Sequence, residues 1–362
     1  MKRFNSIFMA LIAVVVATTY ALPALPASAQ SPSPSTTTSS SALTIVPKKT
    51  YVIEPGKSVK DKLTIRNLDT VRDLQLVLRV VDFTYTGDGG TPKLFLAEDA
   101  PQTTWSLKPF LTVPKKVTIP KGSSKTLDMS VAIPAGHGAG SYYSAIIYST
   151  GSGEGGNVGL SASGVTLVFT QIPGKVNEDL KLKNFGAYKT ETPSNPAGYM
   201  FWTSQEPQNM AYTLQNSGNV TEAPVGSITL KNEFFGKTTT IQNVNPYSSL
   251  ALIGQTRTFS ACIKLASQQV DFAGEKTEAN RCVLPGLWPG LYTAKLDLFY
   301  GQNGNNTQEI TSTAMFWYMP WWFVAVVVVL LAILAYFIWR IYRFIRYKFY
   351  GGPRPKKIKR RK

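Results

Sequence analysis

The sequence predicts an all-β fold: two immunoglobulin-like β-sandwich domains followed by one C-terminal transmembrane α-helix. Three observations predict it. Apolar and polar residues alternate through the middle of the chain. Gly- and Pro-rich turns interrupt those stretches at short intervals. Near the C-terminus, the 19 residues from Trp321 to Trp339 contain no charge, no Pro and no Gly.

The alternation has period two. Leu74, Leu76, Leu78 and Val80 flank Gln75 and Arg79; Leu127, Met129, Val131 and Ile133 flank Asp128 and Ser130; Leu296 and Leu298 flank Lys295 and Asp297. Side chains of a strand point alternately to its two faces, so this pattern reads as half-buried strands. Turns are signalled at Pro55-Gly56, Gly87 to Gly90, Lys121-Gly122, Pro285-Gly286 and Pro289-Gly290. No sustained apolar stripe of helical period occurs between them. Short strands with frequent turns predict β-sandwiches. The length suits two domains, divided near Ile172-Pro173-Gly174 into residues 43–173 and 174–318. A second Pro-rich gap, Thr190 to Gly198, is the alternative boundary. Residues 30–42 are a Ser/Thr/Pro-rich linker that cannot build a core.

Both ends carry targeting signals. Lys2 and Arg3 precede an apolar stretch from Ile7 to Ala17 and a small-residue site, Ala27-Ser28-Ala29. Residues 1–29 thus read as a cleaved signal peptide, with an uncleaved anchor as the alternative. The transmembrane helix is read over 320–340; its 19 uncharged residues, at 1.5 Å each, cover about 28 Å of hydrocarbon. Trp321 and Trp322 at one end and Trp339 at the other are expected at the two membrane interfaces, where amphipathic rings concentrate. From Arg340 to Lys362 there are 11 basic residues and no acidic one. That places the tail, 341–362, in the cytoplasm and the ectodomain outside the cell membrane. Arg340, Arg343 and Arg346 recur every third residue and are expected on anionic headgroups. The formal net charge is +17. Setting aside the 11 from Arg340 onward and the signal's 2 leaves 25 basic against 21 acidic residues. The excess is topogenic, so no nucleic-acid partner is expected.

Motifs that could carry chemistry are few. Gly151 to Gly156 matches G-x-G-x-x-G, but a strand-like segment follows where a dinucleotide site needs a helix; a hairpin loop is expected. The lone histidine, His137, sits in a Gly-rich turn with no second His and no nearby Cys. Glu98-Asp99 and Glu178-Asp179 read as solvated loop charges, and Asp88 lacks the ligand series of an EF-hand loop. Sequons at Asn219 and Asn305 occur often by chance. Cys262 and Cys282 bracket a polar segment; in an exported chain a disulfide is expected, with two buried thiols as the alternative. No catalytic, cofactor or metal residues are expected.

The order Val52-Ile53-Glu54-Pro55-Gly56, Leu63 to Asn67, Val81-Asp82-Phe83, Trp105, Val117 to Ser123, Ile133-Pro134 and Gly140 to Tyr143 resembles the peptidoglycan-binding domain of the WxL-interacting protein family. The resemblance covers 43–170 at motif level. It implies a cell-surface protein with a signal peptide, two immunoglobulin-like domains, one membrane helix and a basic tail. Leu214 to Asn219 and Pro224 to Gly226 are similar to that family's second, partner-binding domain, whereas the Cys262–Cys282 insertion departs from it. The expected function is therefore non-enzymatic: binding of peptidoglycan, an anionic wall polymer or a wall-bound surface protein. Residues 43–173 carry 14 basic and 10 acidic residues, which suits such a polymer. An accessory structural subunit of a transport or secretion complex is the alternative, and a wall hydrolase a third. Tyr142, Tyr143 and Tyr148, between two Gly-rich loops, form the candidate binding surface; alternation between core and surface is the competing explanation.

Overall fold

A computed structural model describes residues 43–86, 90–97, 99–150, 161–191, 196–272, 275–301 and 307–349. The signal peptide, the linker, the Gly151–Gly156 loop, Asp88, Glu98, Asn305 and the tail beyond 349 lie outside them.

Strands β1 (Leu43–Thr44), β2 (Lys48–Val52), β3 (Ser58–Asn67) and β4 (Leu74–Val81) open the chain. A small hairpin of β5 (Phe83–Tyr85) and β6 (Pro92–Leu94) precedes β7 (Leu111–Thr112), β8 (Lys116–Ile119), β9 (Ser124–Ala132), β10 (Gly140–Thr150) and β11 (Ser161–Ile172). They form sheets of order β1-β3-β9-β7 and β2-β11-β10-β4-β8. The second set is β12 (Leu180–Lys189), β13 (Gly198–Met200), β14 (Trp202–Thr203), β15 (Asn209–Asn216), β16 (Val225–Asn232), β17 (Thr238–Ile241) and β18 (Thr256–Cys262). It continues with β19 (Leu265–Phe272), β20 (Glu275–Cys282), β21 (Gly290–Tyr300) and β22 (Gln308–Tyr318). Here the sheets run β13-β12-β15-β18 and β14-β22-β21-β16-β17, with β19 and β20 as a separate ribbon.

The two sandwiches share one wiring. In each, the chain starts antiparallel on one sheet and then crosses to the other. There it pairs in parallel with the last strand: β2 with β11, and β14 with β22. All other pairings between these strands are antiparallel among the described residues, giving two immunoglobulin-like sandwiches. Alternation works as expected in β9, where Leu127, Met129 and Val131 are buried between exposed neighbours. It also holds in β21, from Tyr292 to Tyr300.

Strand β10 breaks the rule. Ile146 and Tyr148 face the first sandwich's core, as period two requires. Tyr143, Ala145 and Ile147, on the other face, are also buried, in a cluster with Phe83, Phe169 and Leu252. Leu252 belongs to the second sandwich, and Leu250 and Ile253 pack against the same cluster. The outer face of one sheet is thus a joint core between the sandwiches. Polar contacts rim it: Ser141 N–H donates to Asn219 O (3.0 Å) and Asn219 Nδ2 to Ala139 O (3.0 Å). Tyr85 N–H donates to Gln255 Oε1 (3.3 Å), and the Arg257 guanidinium lies 5.0 Å from the Tyr85 ring centre.

Only Met319 and Pro320 separate β22 from the helix α1 (Trp321–Phe349). Its 29 residues give a length of about 43 Å. None of its side chains is buried. A helix apolar on all sides and uncovered by protein is not a core helix. It is long and apolar enough to cross a membrane.

Candidate binding groove

A groove on the first sandwich follows from a short strand. β4 runs to Val81, but β8 pairs only with Leu74 to Val77. The last bond on that side is Leu78 N–H to Lys115 O, at 2.8 Å. Pro114 comes next; it has no N–H to continue a ladder. Beyond it the edge of β4 at Arg79 and Val80 faces a groove of about 890 Å³.

Asp82 builds the far wall. This buried carboxylate accepts from Thr103 N (3.1 Å), Thr103 Oγ1 (3.3 Å), Ser106 Oγ (2.6 Å) and Ser144 Oγ (3.0 Å). Phe95 N–H donates to the Asp82 carbonyl, and Arg79 Nη2 to Leu96 O (3.1 Å). These bonds strap Phe95, Leu96, Thr103 and Ser106 beside the strand. The remaining walls come from Leu111 to Val113 and the lysines Lys108, Lys115 and Lys116.

The lining is cationic. Lys108, Lys115 and Lys116 are exposed, Arg79 is half-buried, and none of the four has a salt bridge among the described residues. Asp82 is the acidic lining residue, and its oxygens already accept four hydrogen bonds. Asp99 stands exposed in the same wall segment, outside the lining. A second cleft, on the β3–β9 sheet, pairs Lys60 and Lys62 with Asp61 and Asp128 and has no such bias. Its Asp61 is hydrogen-bonded by Lys49 and Tyr51, which holds its carboxyl down at about 2. Four cations beside an open strand edge can hold an extended anionic segment through charge and main-chain hydrogen bonds.

The tyrosines do not form this site. Tyr143 and Tyr148 are each 1 % exposed, so neither can stack on a ligand. Tyr148 lies in the first core and bonds Thr166 Oγ1; Tyr143 is covered by the second sandwich, a partner that period-two reasoning within one sheet cannot see. Tyr142 is half-buried, and its hydroxyl donates back to Gly138 O (3.2 Å). The candidate surface is thus corrected for Tyr143 and Tyr148, which have a structural role, and only Tyr142 of the three reaches solvent. His137 packs 4.6 Å from both the Phe110 and Tyr142 rings. The Asn219 amide is engaged with Ala139 O and Asn177 N–H.

Cys262 and Cys282 are disulfide-bonded, Cα atoms 5.2 Å apart, at the base of the β19–β20 ribbon. Trp321, Trp322 and Trp339 are exposed on α1, as are Arg340, Arg343 and Arg346. Arg343 stacks over the Trp339 ring at 5.1 Å, and Arg340 donates to the Tyr336 hydroxyl. Among the described residues no group of three or more His, Cys, Asp or Glu side chains is poised to hold a metal ion. The groove's cations escaped the sequence reading because they come from three separated segments; only Lys115-Lys116, next to Pro114, is a local signal.

No protein family and no curated protein matches the chain. Among solved structures, the class 5 fimbrial chaperone CfaA aligns over 75% of this chain and 98% of its own, at 12% identity and a TM-score of 0.33. The Escherichia coli chaperone DraB aligns over 76% and 98%, at 13% identity and a TM-score of 0.30. The Pseudomonas aeruginosa CupB2 chaperone aligns over 73% and 97%, at 10% identity and a TM-score of 0.28. Alignments this weak add nothing to the strand order described above.

Proposed function

We propose that this is a non-enzymatic, membrane-anchored envelope protein whose first sandwich binds an anionic cell-wall polymer. The carrying observation is the groove framed by Arg79, Lys108, Lys115 and Lys116, whose acidic lining residue is already saturated by hydrogen bonds. The likeness of residues 43–170 to the peptidoglycan-binding domain of WxL-interacting proteins supports the same reading. Helix α1 spans the membrane, with the sandwiches outside and the basic tail in the cytoplasm. Residues 1–29 direct export.

Two experiments test this. Residues 43–319 are incubated with purified cell walls, with and without their anionic polymers. Binding should require the polymer, weaken with salt and fall at least tenfold in Arg79→Ser/Lys108→Ser/Lys115→Ser/Lys116→Ser. Equal binding to stripped walls overturns the polymer, and an unaffected variant overturns the groove. For topology, protease added to intact cells should remove the sandwiches and spare a tag fused after Lys362; digestion of that tag reverses the orientation.

A further inference from the structure

At the end of the second sandwich from which α1 leaves, aromatic side chains distant in sequence converge. Phe201, Trp202, Phe234, Phe235 and Trp288 are 68, 48, 56, 58 and 57 % exposed. Exposure on this scale is expensive for a soluble surface and marks an interaction site. The backbone beneath them is well fixed. Buried Asn232 accepts from Phe234 N–H (3.0 Å) and Phe235 N–H (3.1 Å) and donates to Trp288 O (3.3 Å). Trp202 pairs in register with Trp317. The rings are also in mutual contact: Phe234 with Trp317 at 5.8 Å and Phe235 with Trp288 at 5.7 Å.

This collar is level with the start of the apolar helix. The Trp202 ring lies 6.3 Å from that of Trp321, the first residue of α1. Two residues span at most about 7 Å of chain. The headgroup layer of one leaflet is itself roughly 5–7 Å thick. Here the spacer is not even free: Met319 N–H donates to Thr203 O (2.9 Å), and Pro320 O accepts from Phe323 and Val324 as the helix begins. With the helix in the bilayer, the collar has no slack with which to leave the interface.

We infer that the aromatic collar of Phe201, Trp202, Phe234, Phe235 and Trp288 is a lipid-binding surface that seats the second sandwich in the headgroup layer of the membrane crossed by α1. Indole and phenyl rings favour that depth, where apolar carbon and water meet. The sandwiches then stand on the membrane at a fixed attitude instead of swinging on a stalk. This rests on the membrane-spanning reading of α1 and extends it from the helix to the folded domain.

Spin labels test it in the full chain reconstituted into phosphatidylcholine–phosphatidylglycerol vesicles. Single labels go on Phe235→Cys, Trp288→Cys and Phe201→Cys in the collar, on Val328→Cys in the helix and on Thr118→Cys in the first sandwich. Collision rates are read with oxygen, which partitions into lipid, and with a nickel chelate, which stays in water. The oxygen-to-nickel ratio at collar sites should be several-fold above that at Thr118→Cys and below that at Val328→Cys. A lipid-like Val328→Cys beside water-like collar labels overturns the collar alone. Water-like values at Val328→Cys overturn both the span and the collar. Collar labels shielded from both reagents mean that protein covers the patch, which also overturns lipid seating. Three collar sites are used so that one misfolded variant cannot decide the result.

Discussion

Tyr142 and Tyr292 hold the same place in the two sandwiches. Each stands two residues after a glycine that opens its strand, and each hydroxyl donates to the carbonyl four residues back, Gly138 at 3.2 Å and Trp288 at 2.8 Å. Gly140 and Gly290 have φ of 147° and 146°, in the region that favours glycine. This is the tyrosine corner of Greek-key sandwiches. Tyr142→Phe and Tyr292→Phe should each cost about 1 kcal/mol of stability. The effect should be larger for buried Tyr292 than for half-exposed Tyr142, and Tyr142→Phe should leave wall binding intact. Denaturant midpoints and the wall sedimentation assay check both points.

A second repeated device is a buried asparagine at the end of the equivalent strands β3 and β15. Asn67 Nδ2 donates to the carbonyls of Arg72 (2.9 Å), Ile119 (3.3 Å) and Pro120 (3.3 Å), and its Oδ1 accepts from Asp69 N–H. Asn216 Nδ2 donates to Val220 O (2.7 Å) and Ala251 O (2.9 Å), and its Oδ1 accepts from Gly218 N–H. Truncation strands buried carbonyls. Asn67→Ala and Asn216→Ala should therefore cost about 2–4 kcal/mol each, more than any surface substitution nearby. Asn→Asp, which loses the donor, should be at least as harmful. Equilibrium unfolding gives the comparison.

The strands were legible in the sequence because one-face burial writes itself as alternation: β9 and β21 show it residue by residue. The Pro-Gly turns and the apolar helix were legible for equally local reasons. What was not legible lies between segments. Tyr143 is buried by Leu252 and its neighbours, more than a hundred residues away. The groove gathers Arg79, Lys108 and Lys115 from three stretches, and the aromatic collar likewise gathers three. One signal was available and local. Gly140-Ser-Tyr142 and Gly290-Leu-Tyr292 repeat the same three-residue pattern at the same point of each sandwich.

The disulfide staples the base of the ribbon: Leu265 pairs with Cys282, and Phe272 with Glu275. A two-stranded ribbon on its own is marginal in water. Cys262→Ala/Cys282→Ala should lose about 2–4 kcal/mol in global stability on the loop-entropy account. Hydrogen exchange should quicken across β19 and β20 before it does in β15 or β21. Uniform exchange in the two proteins would mean that the ribbon is held by something other than the cystine.

Glu222 makes the second sandwich sensitive to pH. Its main chain bridges to Ala251, with Ala251 N–H donating to Glu222 O at 2.7 Å and Glu222 N–H to Ala251 O at 3.2 Å. The side chain is 2 % exposed. Oε2 accepts from Gly301 N–H at 3.3 Å, and Oε1 is buried without a partner among the described residues. Burial, and secondarily the charge of Glu178, push its carboxyl up to about 8, with the Gly301 N–H pulling weakly the other way. The unfolded value is near that of an ordinary glutamate, so the folded state holds a proton that the unfolded state gives up between about pH 4.5 and 8. Stability from this residue is thus complete below about pH 4.5, declines as pH rises, and is gone above about pH 8. Glu222→Gln keeps an acceptor for Gly301 and removes the titration. Relative to the parent, it should gain about 2 kcal/mol or more between pH 5 and pH 8. Glu178→Gln removes a negative charge that opposes ionisation of Glu222, so the folded-state carboxyl ionises more readily and the decline should be smaller and end at lower pH than in the parent. Urea midpoints of all three proteins across that range decide it: parallel curves for parent and Glu222→Gln would show that Glu222 does not titrate in this window.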